Sequence, residues 1–185
     1  MSDCKGIKVL SINVDNSTFY ITATSAHDCA VCPNCGHITY DVHDKRWQLY
    51  KHLPIWGINT IIMLEKKRYK CSCDPRHPFD EHFEFIRPYQ RQTISFEKYA
   101  VTLAHKNTIK NAAYILGISE HTCQSIYNYY ADAVLEAKEP GPLRLLGIDD
   151  IARKKGHSYD TVVYDHETGN VIAVITGRTK EDVIN

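Results

Sequence analysis

Apolar and polar residues alternate from Ile7 to Val14 and again from Phe19 to Thr24, on either side of Asp15-Asn16-Ser17, and this period of two predicts a β-hairpin. Trp47 to Leu53 and Ile58 to Leu64 are also strand-like, with Pro54 and Gly57 marking the turn between them. Past a connector containing proline and phenylalanine, from Pro78 to Pro88, the period becomes helical. Phe96, Tyr99, Ala100, Leu103 and Ala104 recur at helical spacing behind Ser95, a good N-cap. Ala112, Ala113 and Leu116 repeat the spacing in a short second helix stopped by Gly117. Ile118 and Ser119 then lead into a third, whose buried side carries Cys123, Ile126, Tyr127 and Tyr130.

Pro140-Gly141-Pro142 reads as a domain boundary. The nearly continuous apolar run from Leu143 to Ile148, ending in Asp149-Asp150, is the pattern of a buried central strand. Tyr159 to Tyr164 and Val171 to Thr176 follow as strands around a His166 to Asn170 turn, and Thr179 with Asp182 caps a further helix. The expected fold class is α+β, in three parts: a β-hairpin with a small ribbon (1–85), a helical domain (86–139) and the first strands of an incomplete α/β segment (140–185). Three strands and a short helix bury too little surface for a core of their own, so the last part is expected to begin a larger domain or to lean on something else.

Cysteine spacing adds chemistry to the ribbon. Cys32-Pro33-Asn34-Cys35-Gly36 is answered by Cys71-Ser72-Cys73, two close pairs around a strand-rich insert, which is how a zinc ribbon is written. Each pair needs a tight turn so that both sulfurs reach one ion, and Pro33 and Gly36 supply the first. The second pair is shorter than the common spacing, which leaves His77 or His82 open as the fourth ligand in place of Cys73. Cys29 makes a second Cys-x-x-Cys register without the flanking turn residues and reads as a bystander, as does Cys4. Cys123 falls on an apolar helix face, where a buried free thiol is ordinary.

With 22 basic and 22 acidic side chains in 185 residues, net charge neither suggests nor excludes a nucleic-acid partner. Its distribution is informative. Residues 45 to 70 hold seven lysines and arginines, Lys66, Lys67 and Arg68 among them, against Glu65 alone. Trp47, Tyr50 and Tyr69 interleave with them, a mixture suited to phosphate contact and stacking, although basic strand faces are often merely solvated. No secretory signal or long apolar run appears, and an odd cysteine count argues against a disulfide framework, so a cytoplasmic protein with no membrane partner is expected.

A short helix, a glycine turn and a longer helix make a helix-turn-helix, whose second member enters the DNA major groove. Thr122, Gln124, Ser125 and Asn128 would form its exposed, base-reading face. That face carries no arginine or lysine, which leaves a plain helical hairpin as the competing reading; Lys106 and Lys110 could hold the backbone instead.

Cys32-Pro33-Asn34-Cys35-Gly36, Leu53-Pro54-Ile55 with Gly57, Lys67-Arg68-Tyr69-Lys70-Cys71, Arg87-Pro88-Tyr89-Gln90-Arg91-Gln92-Thr93, and Leu146-Gly147-Ile148-Asp149-Asp150 with Lys155-Gly156-His157 and Gly177-Arg178 stand in one order along the chain. In that order they resemble the insertion-sequence transposases of the ISL-three family, over nearly the whole chain. The resemblance implies an N-terminal zinc ribbon, a helix-turn-helix and a catalytic domain of ribonuclease-H type. It matches Asp149 to the first carboxylate of an Asp-Asp-Glu triad, with Asp150 where a glutamate is more usual. Such chemistry uses Mg²⁺ held between several carboxylates. The implied partner is double-stranded DNA at terminal inverted repeats, and a homodimer is compatible with it. The implied role is the DNA-binding portion of a transposase, with no strand transfer by these residues alone. A truncated transposase acting as a repressor and a zinc-ribbon module that binds protein are the alternatives.

Overall fold

A computed structural model describes residues 6–15, 17–137, 144–154 and 158–184. Cys4, Asn16, Pro140-Gly141-Pro142, Leu143 and Lys155-Gly156-His157 lie outside the described residues. The chain divides into two compact units, 1–131 and 132–185.

In the first unit, β1 (Ile7–Asp15) and β2 (Thr18–Ser25) form the expected antiparallel hairpin. Two short strands, β3 (Ala30–Val31) and β4 (Ile38–Thr39), pair around the first cysteine turn. The next hairpin is much longer than the apolar alternation suggested: β5 (Val42–Ile55) and β6 (Ile58–Cys71) run 14 residues each. Only Trp56 and Gly57 join them, both with positive φ (52° and 77°), the two-residue turn whose twist matches that of the strands. Pro54 therefore lies inside β5, where the register slips between His52 and Ile55.

The sheet order is β1-β2-β6-β5, and β2 lies parallel to β6, from Thr18 opposite Asn59 to Thr24 opposite Glu65. Because β5 occupies one edge of β6 along its length, β7 (Asp74–Asp80) takes the other edge where β2 leaves it, pairing at Arg68 to Cys71. Hairpin and ribbon are thus one five-stranded sheet. Ile21, Ala23, Tyr50, Ile62 and Leu64 form its buried face, closed by Phe83, Phe85 and Ile86. The segment expected to be a mere connector is the plug of this core.

The helices follow as α1 (Ile94–Lys106), α2 (Ile109–Leu116) and α3 (Glu120–Ala137). The N-cap of α1 is Thr93 rather than Ser95: its Oγ1 accepts from the Phe96 amide, and its own amide donates to Lys51 O, so pairing with the sheet sets where the helix starts. Thr108 caps α2, and Gly117, at φ 59° and ψ 44°, ends it as expected. Phe96, Ala100, Leu116 and Ile126 form one buried cluster; Ala104, Ala112, Ala113 and Cys123 form another, small residues that let the three helices approach closely.

The second unit contains an antiparallel sheet of β8 (Leu146–Lys154), β9 (Ser158–Asp165) and β10 (Val171–Thr176), ordered β10-β9-β8, and α4 (Lys180–Ile184). Thr179 and Asp182 exchange cap hydrogen bonds as their spacing predicts. The expectation of a buried central strand is not met. β8 is an edge strand, and Leu146, Ile148 and Ile151 are exposed, because β9 pairs with one side of it and, among the described residues of its unit, no apolar layer covers them.

Candidate metal centre and nucleic-acid interface

The four cysteines Cys32, Cys35, Cys71 and Cys73 converge at the far end of the long hairpin, all four sulfurs within 4.8 Å of one another. Cys32 Sγ lies 3.6 Å from Cys73 Sγ, and Cys35 Sγ lies 3.5 Å from Cys71 Sγ. Zinc–sulfur bonds of about 2.3 Å in a tetrahedron put sulfurs about 3.8 Å apart, so the cluster fits the ion. The first turn is closed by Gly36 N donating to Cys32 O and by Cys32 N donating to His37 O.

Burial pushes the Cys32 thiol up, but backbone amides of Cys35 and Asn34 and the neighbouring thiols outweigh it and bring it down to about 7. Cys73 is pushed up instead, by hydrogen bonds to Cys35, Cys32 and Cys71. A dication held by the four sulfurs would take the place of these hydrogen bonds. His77 is exposed and bonded to Asp74, and His82 is exposed; of the three candidates for the fourth position it is Cys73 that joins the cluster. Cys29 stands outside the cluster, and Cys123 is buried with its thiol raised by burial.

The basic strand splits by parity. Lys67 points to the face opposite Ile62 and Leu64, where it is buried and donates to His27 O at 2.9 Å and Asp28 Oδ1 at 2.8 Å, pinning the loop before the first cysteine turn. Tyr69 follows it into that layer, and Tyr50 is buried on the other side, so neither ring is available for stacking; Trp47 is half-exposed. This corrects the expectation that Lys67, Tyr50 and Tyr69 share an exposed basic face. Lys66 and Arg68 stay on the Ile62 and Leu64 face, half-buried beyond its apolar end, and Arg68 pairs with Asp44 and Asp80.

On α3, Cys123 and Ile126 turn inward while Gln124, Ser125 and Asn128 are exposed; Thr122 is half-buried and bonded to Ser119. Gln124 Nε2 donates to Asn128 Oδ1 at 2.7 Å, one helical turn on. The turn before α3 is held from the sheet, since Lys51 Nζ donates to Leu116 O at 3.1 Å and to Gly117 O. Sequence reasoning counted Lys51 only as a basic strand residue; nothing local marks a lysine whose acceptor lies 65 positions away. Arg87 was missed in the same way. It donates from Nε (2.6 Å) and from a terminal nitrogen (2.9 Å) to buried Glu97, lies 3.6 Å over the Tyr129 ring, and shares Glu97 with Tyr130 Oη, whose pKa burial and that bond push up to about 12. The network locks α1, α3 and the connector together.

Asp149 sits mid-way along β8 rather than at its end, exposed, accepting from the Asp150 amide. Asp160 is buried on β9 and paired with Arg153 at 2.9 Å. Among the described residues Asp149 belongs to no cluster of three or more metal-ligating side chains.

Three family models match in the order of these parts. A model described as a zinc-finger of transposases IS204, IS1001, IS1096 and IS1165 matches residues 28–73, the helix-turn-helix domain of transposase family ISL3 matches 81–131, and a DDE transposase model of that family matches 146–185. The chain belongs to the ISL3 transposase family. Its four-cysteine cluster lies within the matched zinc ribbon and supports structural zinc, and α1, α2 and the first part of α3 lie within the matched helix-turn-helix domain. The chain is 24% identical to the transposase for insertion sequence element IS1001 of Bordetella parapertussis over 152 residues, 82% of this chain and 37% of that protein. It is 26% identical to the transposase for insertion sequence element IS1557 of Mycobacterium tuberculosis over 126 residues, 68% of this chain and 28% of that one. The matches therefore span about a third of the length of these ISL3 relatives. No solved structure matches. Among the described residues no helix is long and apolar enough to cross a membrane.

Proposed function

We propose that residues 1–139 are the DNA-reading part of an ISL3 transposase, acting in the cytoplasm on the terminal inverted repeats of its element, with α3 in the major groove. The carrying observation is α3 itself: its inward side is anchored by Cys123 and Ile126, while Gln124, Ser125 and Asn128 stand in solvent, Gln124 and Asn128 bonded to each other, with polar groups that can meet base edges. The zinc ribbon (1–85) braces this reader through Lys51, and Lys66 and Arg68 supply phosphate contacts in place of Lys67. Residues 140–185 contribute Asp149 as the first carboxylate of the catalytic triad, in the opening strands of a ribonuclease-H-type domain. Its chemistry needs further acids beside it, so the 185-residue chain binds DNA without cutting it. A homodimer, one copy per repeat, follows from the pairing of element ends.

Binding titrations of the full chain on the element's end sequence and on random duplex test this. Gln124→Ala and Asn128→Ala should each cost about 1–3 kcal/mol on the end sequence and little on random DNA. Unchanged site preference in both variants would overturn the assignment of α3.

A further inference from the structure

A cavity of about 730 Å³ opens where the charged end of the Tyr50 and Leu64 face of β5 and β6 meets the connector, within the roughly 300–1,000 Å³ range of ligand sites. Arg46, Lys66, Arg68 and Arg91 line it, and Asp80 is the one carboxylate among its lining residues. Arg46 and Arg68 share Asp80. Lys66 and Arg91 have no ion-pair partner among the described residues, and the Lys66 ammonium lies 6.0 Å over the Phe83 ring. Burial lowers the Lys66 pKa, the mark of an under-solvated cation that an anion would stabilise.

At the rim stands Tyr89, with its side chain essentially fully exposed. It occupies the third position of a turn in which Gln90 N donates to Arg87 O and Pro88 fills the second, and its φ is +62°. A bulky aromatic is strained there; glycine is the residue such a turn prefers. Among the described residues no hydrogen bond, ion pair or ring contact offsets the strain at this 99% exposed side chain, so the fold gains little from the ring. What the turn does is hold a flat apolar surface beside a cluster of under-neutralised cations.

We propose that this cavity and Tyr89 bind a single unpaired nucleotide of the DNA, its phosphate between Lys66 and Arg91 and its base stacked on Tyr89. Exposed aromatics beside a cationic groove are how proteins hold unpaired strands, whereas a duplex, its bases stacked inside, offers no face to the ring. The proposal rests on the DNA-reading function above and adds a second, structure-selective site to it.

The test uses the 185-residue chain and two probes, the element's end sequence as a blunt duplex and the same duplex with a short single-stranded thymine tail. The tail should strengthen binding roughly tenfold, and Tyr89→Gly should remove that gain while blunt binding and thermal stability stay unchanged or stability rises. Tyr89→Phe should keep the gain, and Lys66→Ala should reduce it. Gln124→Ala should weaken both probes alike, which separates this site from the helix. A tail that adds nothing, or a gain that survives Tyr89→Gly, overturns the proposal and leaves the helix-turn-helix reading intact. If Lys66→Ala weakens both probes equally and Tyr89→Gly is silent, the cavity is an ordinary duplex-backbone contact and the proposal falls. No binding of either probe overturns both readings.

Discussion

Two strands in this chain pass from apolar to charged residues, and they meet opposite fates. β6 carries Ile62 and Leu64 fully inside, then Lys67, Tyr69 and Cys71, buried again but on its other face. β8 carries Leu146, Ile148 and Ile151, all exposed. Composition does not separate them, but neighbours do. β6 is paired on both edges, by β5 along its length and by β2 and β7 in succession, and each of its faces is covered over half its length: Phe83, Phe85 and Ile86 over the apolar half, the cysteine turn and its preceding loop over the charged half. β8 has β9 on one edge alone. An aliphatic side chain gains free energy only from the surface another element removes from water, so the same residues stabilise one strand and leave the other waiting for a partner.

Removing the metal is the strongest way to break the comparison. Structural zinc in small domains contributes about 10 kcal/mol or more to folding, so chelation, or Cys35→Ser, should unfold residues 28–73 and leave β8–β10 unchanged. Hydrogen exchange resolves the two units; retained protection across β6 after verified zinc loss would show that packing alone suffices there. Truncating the apolar positions comes next. Leu64→Ala should destabilise the first unit by about 2–5 kcal/mol, while Ile148→Ala should shift the second by under about 0.5 kcal/mol in this chain. Equal losses in a denaturant titration read by unit-specific probes would mean that β8 is covered after all. The smallest effect sharpens the picture within β6. Lys67→Met removes hydrogen bonds that pin the loop at His27 and Asp28 and should cost about 1–2 kcal/mol, whereas Lys66→Met should be near neutral for stability and be felt in DNA affinity. If both variants match in melting temperature, the parity split has no energetic meaning.

Strands β1, β2 and β8–β10, the middle of β5 and β6, the three helices, the glycine stop of α2, the cap of α4 and the cysteine pairs were legible, because each is written in residues a few positions apart; β3, β4 and β7 were not, since their pairing depends on the cysteine turn and on β6. The cysteine pairs also gave the zinc site, with the histidines left open until the sulfurs were seen together. Errors arose wherever burial or partnership depended on distant chain. Lys67 and Lys66 are adjacent and chemically identical, yet strand parity and a loop 40 residues earlier make one structural and leave the other in a cavity without an ion pair among the described residues. Thr93 displaced Ser95 as a cap because β5 hydrogen-bonds to residues 91–93.

By itself, then, the sequence determined most of the elements, their order, the metal chemistry and the family to which they belong, since these rest on local spacing and on residue types that admit few other uses. Only the tertiary structure decided that the hairpin and ribbon are one sheet joined through the parallel pairing of β2 with β6, that Lys51 and Arg87 hold the helices, and that Lys66, Arg91 and Tyr89 face one cavity. The physical reason is range: periodicity and capping act over a few residues, whereas desolvation, ion pairing and sheet register are settled by whichever remote segment arrives at the same surface.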